Sequence, residues 1–148
     1  MKKTYLKEGF TLIELLVVIA IIGVLTTLLF ANYTSVRSRA RDVQRKSDLN
    51  QIKRALRLYY NDQTPTAYPA AAIVNFGNTW AAGTMVYMKL IPQDPQPPQV
   101  YHYSLVAGSQ DFCLWGTLEN QADGDIAKSK SRCSSCSVGS YDYVVCAD

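Results

Sequence analysis

A continuous apolar run at residues 10–31 constrains this chain more than any other feature of its sequence. As an α-helix, the run would be about 33 Å long, which matches the apolar thickness of a lipid bilayer. A helix packed on a soluble core would show a polar residue every third or fourth position, and this run has almost none. It is also too long for a secretory signal peptide, and no small-residue cleavage pattern follows it. We therefore predict a retained helix that lies in lipid or in a packed helical bundle.

Glu14 is the one charged residue inside that run. An acidic side chain costs about 2.5–3.5 kcal/mol at the centre of a membrane helix, and less near the membrane surface, so it is a candidate functional residue. The run contains no cation that could neutralise it. Cleavage of the chain after Gly9 would create one, the α-amino group of Phe10.

Residues 9–16 read GFTLIELL and follow a lysine-rich leader. This stretch resembles the processing signal of type IV pilins and type II secretion pseudopilins. The resemblance implies that prepilin peptidase removes residues 1–9 by cutting between Gly9 and Phe10, and then methylates the amine of Phe10. It also implies that Glu14 pairs with the N-terminal amine of a neighbouring subunit. Two opposite charges cost less free energy when they are buried together than when they are buried apart. The pairing would therefore set the register between subunits.

After Ala31 the apolar spacing becomes that of an amphipathic helix. No proline or glycine occurs between residues 24 and 63, so one helix is predicted at about 11–60, with a membrane or filament-core half at 10–31 and an amphipathic half at 32–62. Many relatives carry a proline where this chain has Ala31. We therefore expect less melting of the helix between Gly23 and Ala31 in a filament, with Gly23 as its weakest point. The predicted buried stripe of the second half consists of Val36, Ala40, Val43, Leu49, Ile52, Leu56 and Tyr59.

The rest of the chain predicts a small β-sheet head. Residues 63–99 are predicted to be a connecting loop region, and residues 100–148 a sheet with a cysteine-containing C-terminal loop. Strands are expected at 100–106, 111–118 and 141–147, which are rich in β-branched and aromatic residues. The predicted fold class is α+β, a long helix packed on an antiparallel sheet as in the pilin fold. The stretch LIPQDP at residues 90–95, followed by YHY at 101–103, resembles secretion-type pseudopilins.

Four cysteines lie near the C-terminus, and they favour two disulfides in an oxidising exterior. All three pairings stay open. A zinc site of four sulfurs and a redox C-x-x-C pair are less favoured alternatives. The cysteines are Cys113, Cys133, Cys136 and Cys146.

The acidic loop at residues 120–125 is a candidate calcium site. Related pseudopilins hold calcium in the corresponding region, so Asp123 and Asp125 are candidate ligands by resemblance. Calcium needs six to eight oxygen ligands, and no later acidic residue completes the set, so an exposed turn without a cofactor is favoured. His102 has no nucleophile or acid partner in the sequence, and no catalysis is predicted.

Charge is divided unevenly along the chain. Residues 32–60 hold eight Lys/Arg and two Asp, whereas residues 61–148 hold four Lys/Arg and eight Asp/Glu, which predicts a basic stalk and an acidic head. DNA binding by the stalk is possible but less favoured than a solvated face. More Lys and Arg residues follow the apolar run than precede it. Because positive residues are enriched on the cytoplasmic side of a membrane helix, this count would place the head in the cytoplasm. The cysteines and the resemblance place it outside.

These features predict the structural subunit of a type IV pilus-like filament that serves adhesion, motility or DNA uptake. Its expected partners are copies of itself, prepilin peptidase, a membrane assembly platform and minor pilins. It would be a single-pass membrane protein before assembly and part of a cell-surface filament afterwards. The alternatives are a periplasmic pseudopilus of type II secretion and a membrane-anchored binding module that never assembles.

Overall fold

The computed structural model describes residues 10–147, with the side chains of residues 28–32 and of Ala107 left out. The predicted leader at residues 1–9, including Gly9, lies outside these residues. The chain divides into two units, and the boundary between them in the sequence lies between Arg37 and Ser38.

Helix α1, Leu12–Asp62, begins in the first unit and ends in the second. The predicted helix agrees with it to within two residues at each end. It passes through Gly23 without a break, and the weaker helix expected there in a filament stays a prediction. Within the described residues, no helix is long and apolar enough to be identified as crossing a membrane. The membrane span predicted at residues 10–31 therefore stays a prediction as well.

The second unit contains a three-stranded antiparallel sheet whose strands are paired in the order in which they follow along the chain. Its strands are β3 (His102–Val106), β4 (Asp111–Thr117) and β5 (Asp142–Val145), each within two residues of the predicted bounds. Together with the long helix, this sheet confirms the predicted α+β class.

Two further elements were not expected from the sequence. A hairpin of β1 (Trp80–Ala82) and β2 (Met85–Met88) lies inside the predicted loop region. A short helix, α2 (Gly124–Arg132), follows β4 and packs beside β5. Local signals for α2 are present, because Asp123 caps its first turn and basic residues lie in its last turn.

The core of the head lies between one face of α1 and the inner face of the sheet. Leu49, Ile52 and Leu56 are fully buried there, against Phe112 and Leu114 among others. Full burial of each such side chain contributes about 1.5–3 kcal/mol. The stripe predicted from the sequence is therefore confirmed from Leu49 onward.

The N-terminal part of the predicted stripe is wrong. Val36 and Val43 are exposed at 63% and 66%. The buried face instead continues from Leu49 toward the N-terminus through Arg45 and Asp42, at helical spacings of four and three. The helix thus buries charged residues where an apolar stripe was expected, because the head supplies partners of opposite charge.

Candidate assembly site and charged junction

The N-terminus of α1 is closed by three reciprocal hydrogen bonds between Thr11 and Glu14. The backbone N–H and hydroxyl of Thr11 donate to Oε2 of Glu14 at 2.9 and 2.7 Å, and the N–H of Glu14 donates to the Thr11 hydroxyl at 3.3 Å. This is a capping box, which satisfies N–H groups that have no partner within the helix. Thr11 was not predicted as a site residue, although the spacing T-x-x-E is the signal for such a box.

Exposed apolar side chains follow this cap along the first unit. Phe10 is 81% exposed and Leu12 is 88% exposed, and large apolar residues from Ile13 to Leu25 are also exposed. Apolar surface of this extent is normally covered by lipid or by other protein. Phe10, which is predicted for processing, and Glu14, which is predicted for assembly, are both exposed at the N-terminal end of the described chain.

In the second unit, Arg45 is the centre of a buried charged junction formed by Arg41, Asp42, Arg45, Asp94 and Glu119. Its guanidinium is 0% exposed and donates to Asp94 through two nitrogens at 2.8 and 2.9 Å. Its third nitrogen donates to Asp42 at 2.8 Å and to Glu119 at 2.7 Å. Bidentate bonding of this kind suits the planar fork of arginine and fixes the geometry of its partners.

The charged junction connects three segments that are distant in sequence. Asp42 lies on α1 and accepts from the backbone N–H groups of Glu119 and Asn120 at 2.9 and 2.8 Å. Asp94 lies in the proline-rich stretch before β3 and accepts from the N–H of Gln96. The junction therefore positions both loops against the helix, and it explains the aspartate of the LIPQDP stretch.

Arg41 completes the junction from its edge. It donates to Glu119 from Nε at 2.6 Å. The hydrogen bond from Arg41, helped by the bond from Arg45 and opposed by partial burial, lowers the pKa of Glu119 to about 2. Glu119 is therefore ionised at neutral pH, as its two arginine partners require.

The two tyrosines of the YHY stretch extend from β3 and its N-terminal end toward other polar groups. The hydroxyl of Tyr101 donates to Asp48 at 2.9 Å, and that of Tyr103 donates to the carbonyl of Pro69 at 2.8 Å. Burial raises the pKa of Asp48, and the bond from Tyr101 opposes this rise. His102 is exposed on strand β3 and stacks on Trp115, with ring centroids 5.2 Å apart.

The residues proposed as calcium ligands bind a lysine instead. The ammonium of Lys46 lies 2.7 Å from an oxygen of Asp123 and 2.8 Å from an oxygen of Asp125. The second oxygen of Asp123 caps α2 by accepting from the N–H of Asp125 at 2.9 Å. Two carboxylates already engaged in this way do not fit a calcium ion, which needs six to eight oxygens. Within residues 10–147, no three His, Cys, Asp or Glu side chains are grouped to hold a metal.

The four cysteines form two disulfides, Cys113–Cys136 and Cys133–Cys146. Cys113 and Cys146 flank the paired residues Leu114 and Val145 of β4 and β5, yet each bonds to a cysteine of the C-x-x-C segment. The two bridges thus attach the C-x-x-C segment of the C-terminal loop to β4 and to the end of β5, on the face of the sheet that is turned away from α1. With every cysteine of residues 10–147 bridged, neither a zinc site nor a free redox pair is formed there.

The pairing of charges changes the expected picture of a basic stalk and an acidic head. Arg41, Arg45 and Lys46 of the stalk bind carboxylates of the head within the same subunit. At least three of the eight stalk cations are therefore paired with head carboxylates inside one molecule. This leaves fewer stalk cations to bind DNA or the acidic heads of neighbours.

Comparisons with known proteins place the chain among its relatives. A family model described as "Prokaryotic N-terminal methylation motif" matches residues 6–30. The chain is 39% identical to the type IV wide pilus major component PilA4 of Thermus thermophilus over 47% of its own length, and it spans about half, 53%, of that relative. It is 32% identical to the type II secretion system core protein G of Escherichia coli over 88% of its own length and 99% of the relative.

A third relative, the type IV major pilin protein PilA of Myxococcus xanthus, is 33% identical over 38% of this chain and 26% of the relative. No solved structure gives a significant match. The near-complete coverage of the secretion protein and the N-terminal motif together show the family. This chain belongs to the type IV pilins and type II secretion pseudopilins, which are structural filament subunits and not enzymes.

Proposed function

We propose that this chain is the subunit of a type IV pilus-like filament on the cell surface. The carrying observation is that a capped helix with exposed apolar side chains begins two residues after Phe10. In this proposal prepilin peptidase cuts between Gly9 and Phe10 and Phe10 is then methylated. Residues 10–31 span the membrane before assembly and form the filament core afterwards, with a membrane assembly platform and minor pilins as partners.

The other segments have separate roles in this proposal. Residues 32–62 carry the head, residues 63–99 connect the helix to the sheet, and residues 100–148 form the sheet and its C-terminal loop. The two disulfides support an extracellular head, because such bonds persist in oxidising compartments. The disulfides therefore outweigh the charges that flank the apolar run, which favour a cytoplasmic head.

Glu14 is the proposed assembly residue. Its carboxylate accepts two hydrogen bonds from Thr11 of its own chain, which partly compensates its charge before assembly. The N-terminal amine of a neighbouring subunit would supply the opposite charge afterwards. Such a pair in an apolar filament core favours one register, because any other register would leave both charges without a partner.

Replacement of Glu14 by Ala tests this function. We expect leader cleavage to continue and the amount of filament sheared from cells to fall at least tenfold. Thr26→Ala is the matched control, because Thr26 is also polar and exposed on α1 but bonds only the carbonyls of Ile22 and Gly23. Normal filaments from the Glu14→Ala variant would refute assembly through this residue, whereas absence of filaments from the wild-type chain would favour a membrane-anchored binding module.

A second candidate is the pseudopilus of a type II secretion system. It is supported by the 99% coverage of the Escherichia coli core protein G and by the bond between Asp94 of the LIPQDP stretch and Arg45. Deletion of the gene separates the two roles. Loss of sheared surface filaments with normal protein secretion supports the pilus, whereas retention of secreted proteins inside the cell supports the pseudopilus.

A further inference from the structure

One stretch of the head is free of charge. The 26 residues 63–88 contain no Asp, Glu, Lys, Arg or His. Soluble surfaces commonly contain about 25–35% charged residues. An uncharged stretch of this length on a head whose other segments carry many charges suggests a surface that is covered by other protein.

The β1–β2 hairpin within this stretch is firmly attached to α1. Trp80 is 2% exposed and packs against Tyr59 and Tyr87, with ring centroids 5.3 Å away in each case. Tyr59 and Tyr87 are themselves 5.2 Å apart. Three mutually packed aromatic rings hold the inner side of the hairpin, because aromatic pairs add to the energy of apolar burial.

Beyond this aromatic cluster, both faces of the hairpin are apolar and exposed. Ala81, Ala82, Met85 and Val86 are all exposed, the last two at 52% and 50%. Beside them is an open depression of about 320 Å³ lined by Gln51, Arg54, Ala55, Leu58, Tyr87 and Met88. The hairpin and this depression form one continuous, mostly apolar surface.

The hairpin carries no charge that would repel another chain. It is a two-stranded sheet, with no third strand among the described residues. Lysine, proline and charged residues are absent from residues 80–88. Its backbone edges are protected in another way, because the strands are short and their register is irregular between Trp80 and Ala81. What stays uncovered is therefore the set of apolar side chains.

We propose that the exposed surface of the β1–β2 hairpin, residues 81–88, is a contact between neighbouring copies of this chain in the filament. This inference rests on the proposed filament function. The occupant is a second copy, because a filament of one subunit places the same surfaces side by side at regular spacing. The centres of protein interfaces are depleted in charge and accept apolar side chains, as this hairpin does.

The experiment uses the full-length chain in cells that make filaments. A photo-crosslinking amino acid is placed at Thr84, in the exposed turn of the hairpin, and as a control at Ser131, exposed on α2. We expect irradiation of sheared filaments to give subunit dimers and higher ladders from position 84, at least fivefold more than from position 131. Subunits held unassembled in the membrane by Glu14→Ala should give none.

Charge at the same surface gives a second measurement. Val86→Lys should lower the amount of filament at least tenfold, while leader cleavage and both disulfides are retained. Val86→Thr keeps the branched shape without charge and should stay within about twofold of wild type, as should Ser131→Lys. Wild-type filaments that show neither crosslinks from position 84 nor sensitivity to Val86→Lys would overturn the inference alone, whereas absence of wild-type filaments would overturn the proposed function as well.

Discussion

At the scale of single residues, Arg45 links more of the head than any neighbour in the charged junction. Its guanidinium is fully buried and meets Asp42, Asp94 and Glu119, which lie three, 49 and 74 positions away in sequence. Removal of one partner from a buried ionic network is costly because the remaining charges stay buried without compensation. Arg45 therefore contributes mainly through the charges it satisfies.

Replacement of Arg45 by Met should destabilise the head by about 3–5 kcal/mol, because three carboxylates lose their shared donor. Urea unfolding of the full-length chain in detergent, followed through fluorescence of the two tryptophans, measures this change. Arg54→Met is the matched control, since Arg54 is exposed on the same helix, and it should change stability by about 0.5 kcal/mol or less. Equal effects of the two substitutions would contradict the role given to Arg45.

The lowered pKa of Glu119 predicts how the free energy of unfolding depends on pH. Its pKa falls from an ordinary value of 4.5 to about 2 in the folded chain, so the folded state binds this proton less readily than the unfolded state. Its contribution is therefore complete above about pH 5 and is lost as the pH falls toward 2. Glu119→Gln should lower stability at neutral pH and flatten the profile between these values in urea unfolding. An unchanged acid profile in that variant would argue against this linkage.

At the scale of elements, Lys46 joins α1 to the N-terminus of α2. It binds the capping residue Asp123 and also Asp125 in the first turn. Acidic side chains are already favourable at this end of a helix, because the helix dipole is positive there. The lysine adds a tertiary connection at the place where a metal ion was considered.

Two measurements test this arrangement. The melting temperature of the wild-type chain should be the same in calcium and in EDTA, because Lys46 occupies the carboxylates. Lys46→Met should cost about 1–3 kcal/mol through the loss of charged hydrogen bonds. Lys128→Met should have little effect, since Lys128 is exposed and lies 3.5 Å from Asp125. A rise of several degrees in wild-type melting temperature with calcium would contradict this account.

At the scale of the whole molecule, the head contains its own core. The buried apolar residues of the described chain, from Leu49 to Cys146, and the charged junction all lie in the unit that begins at Ser38. Both disulfides lie in it as well. A domain of this size with its own core and two bridges has the means to fold alone.

A fragment of residues 38–148 should accordingly be soluble, unfold in one cooperative transition and give a dispersed amide NMR spectrum. Alkylation of the native fragment should leave its mass unchanged, because its cysteines are bridged. Carrying Arg45→Met in the same fragment should lower its midpoint in urea. A fragment with poor dispersion and non-cooperative unfolding would show that the head depends on residues before Ser38.

Local patterns in the sequence predicted several features well. The apolar run, the GFTLIELL motif and the long uninterrupted helix are all properties of neighbouring residues, and so are the three strands of the head. The even number of cysteines favoured disulfides, because thiols pair in an oxidising compartment whatever the fold. Each of these depends on side-chain periodicity or composition within one segment, which is visible without tertiary structure.

The partners of the polar residues were decided by tertiary structure alone. Val43 is apolar yet exposed, while Arg45 is charged yet buried, because the loops that carry Asp94 and Glu119 close over that face of the helix. The disulfide pairing and the choice of Lys46 over calcium have the same origin. A charge or thiol pairs with whichever group the packed chain brings within reach, and the sequence by itself determined only which such groups exist.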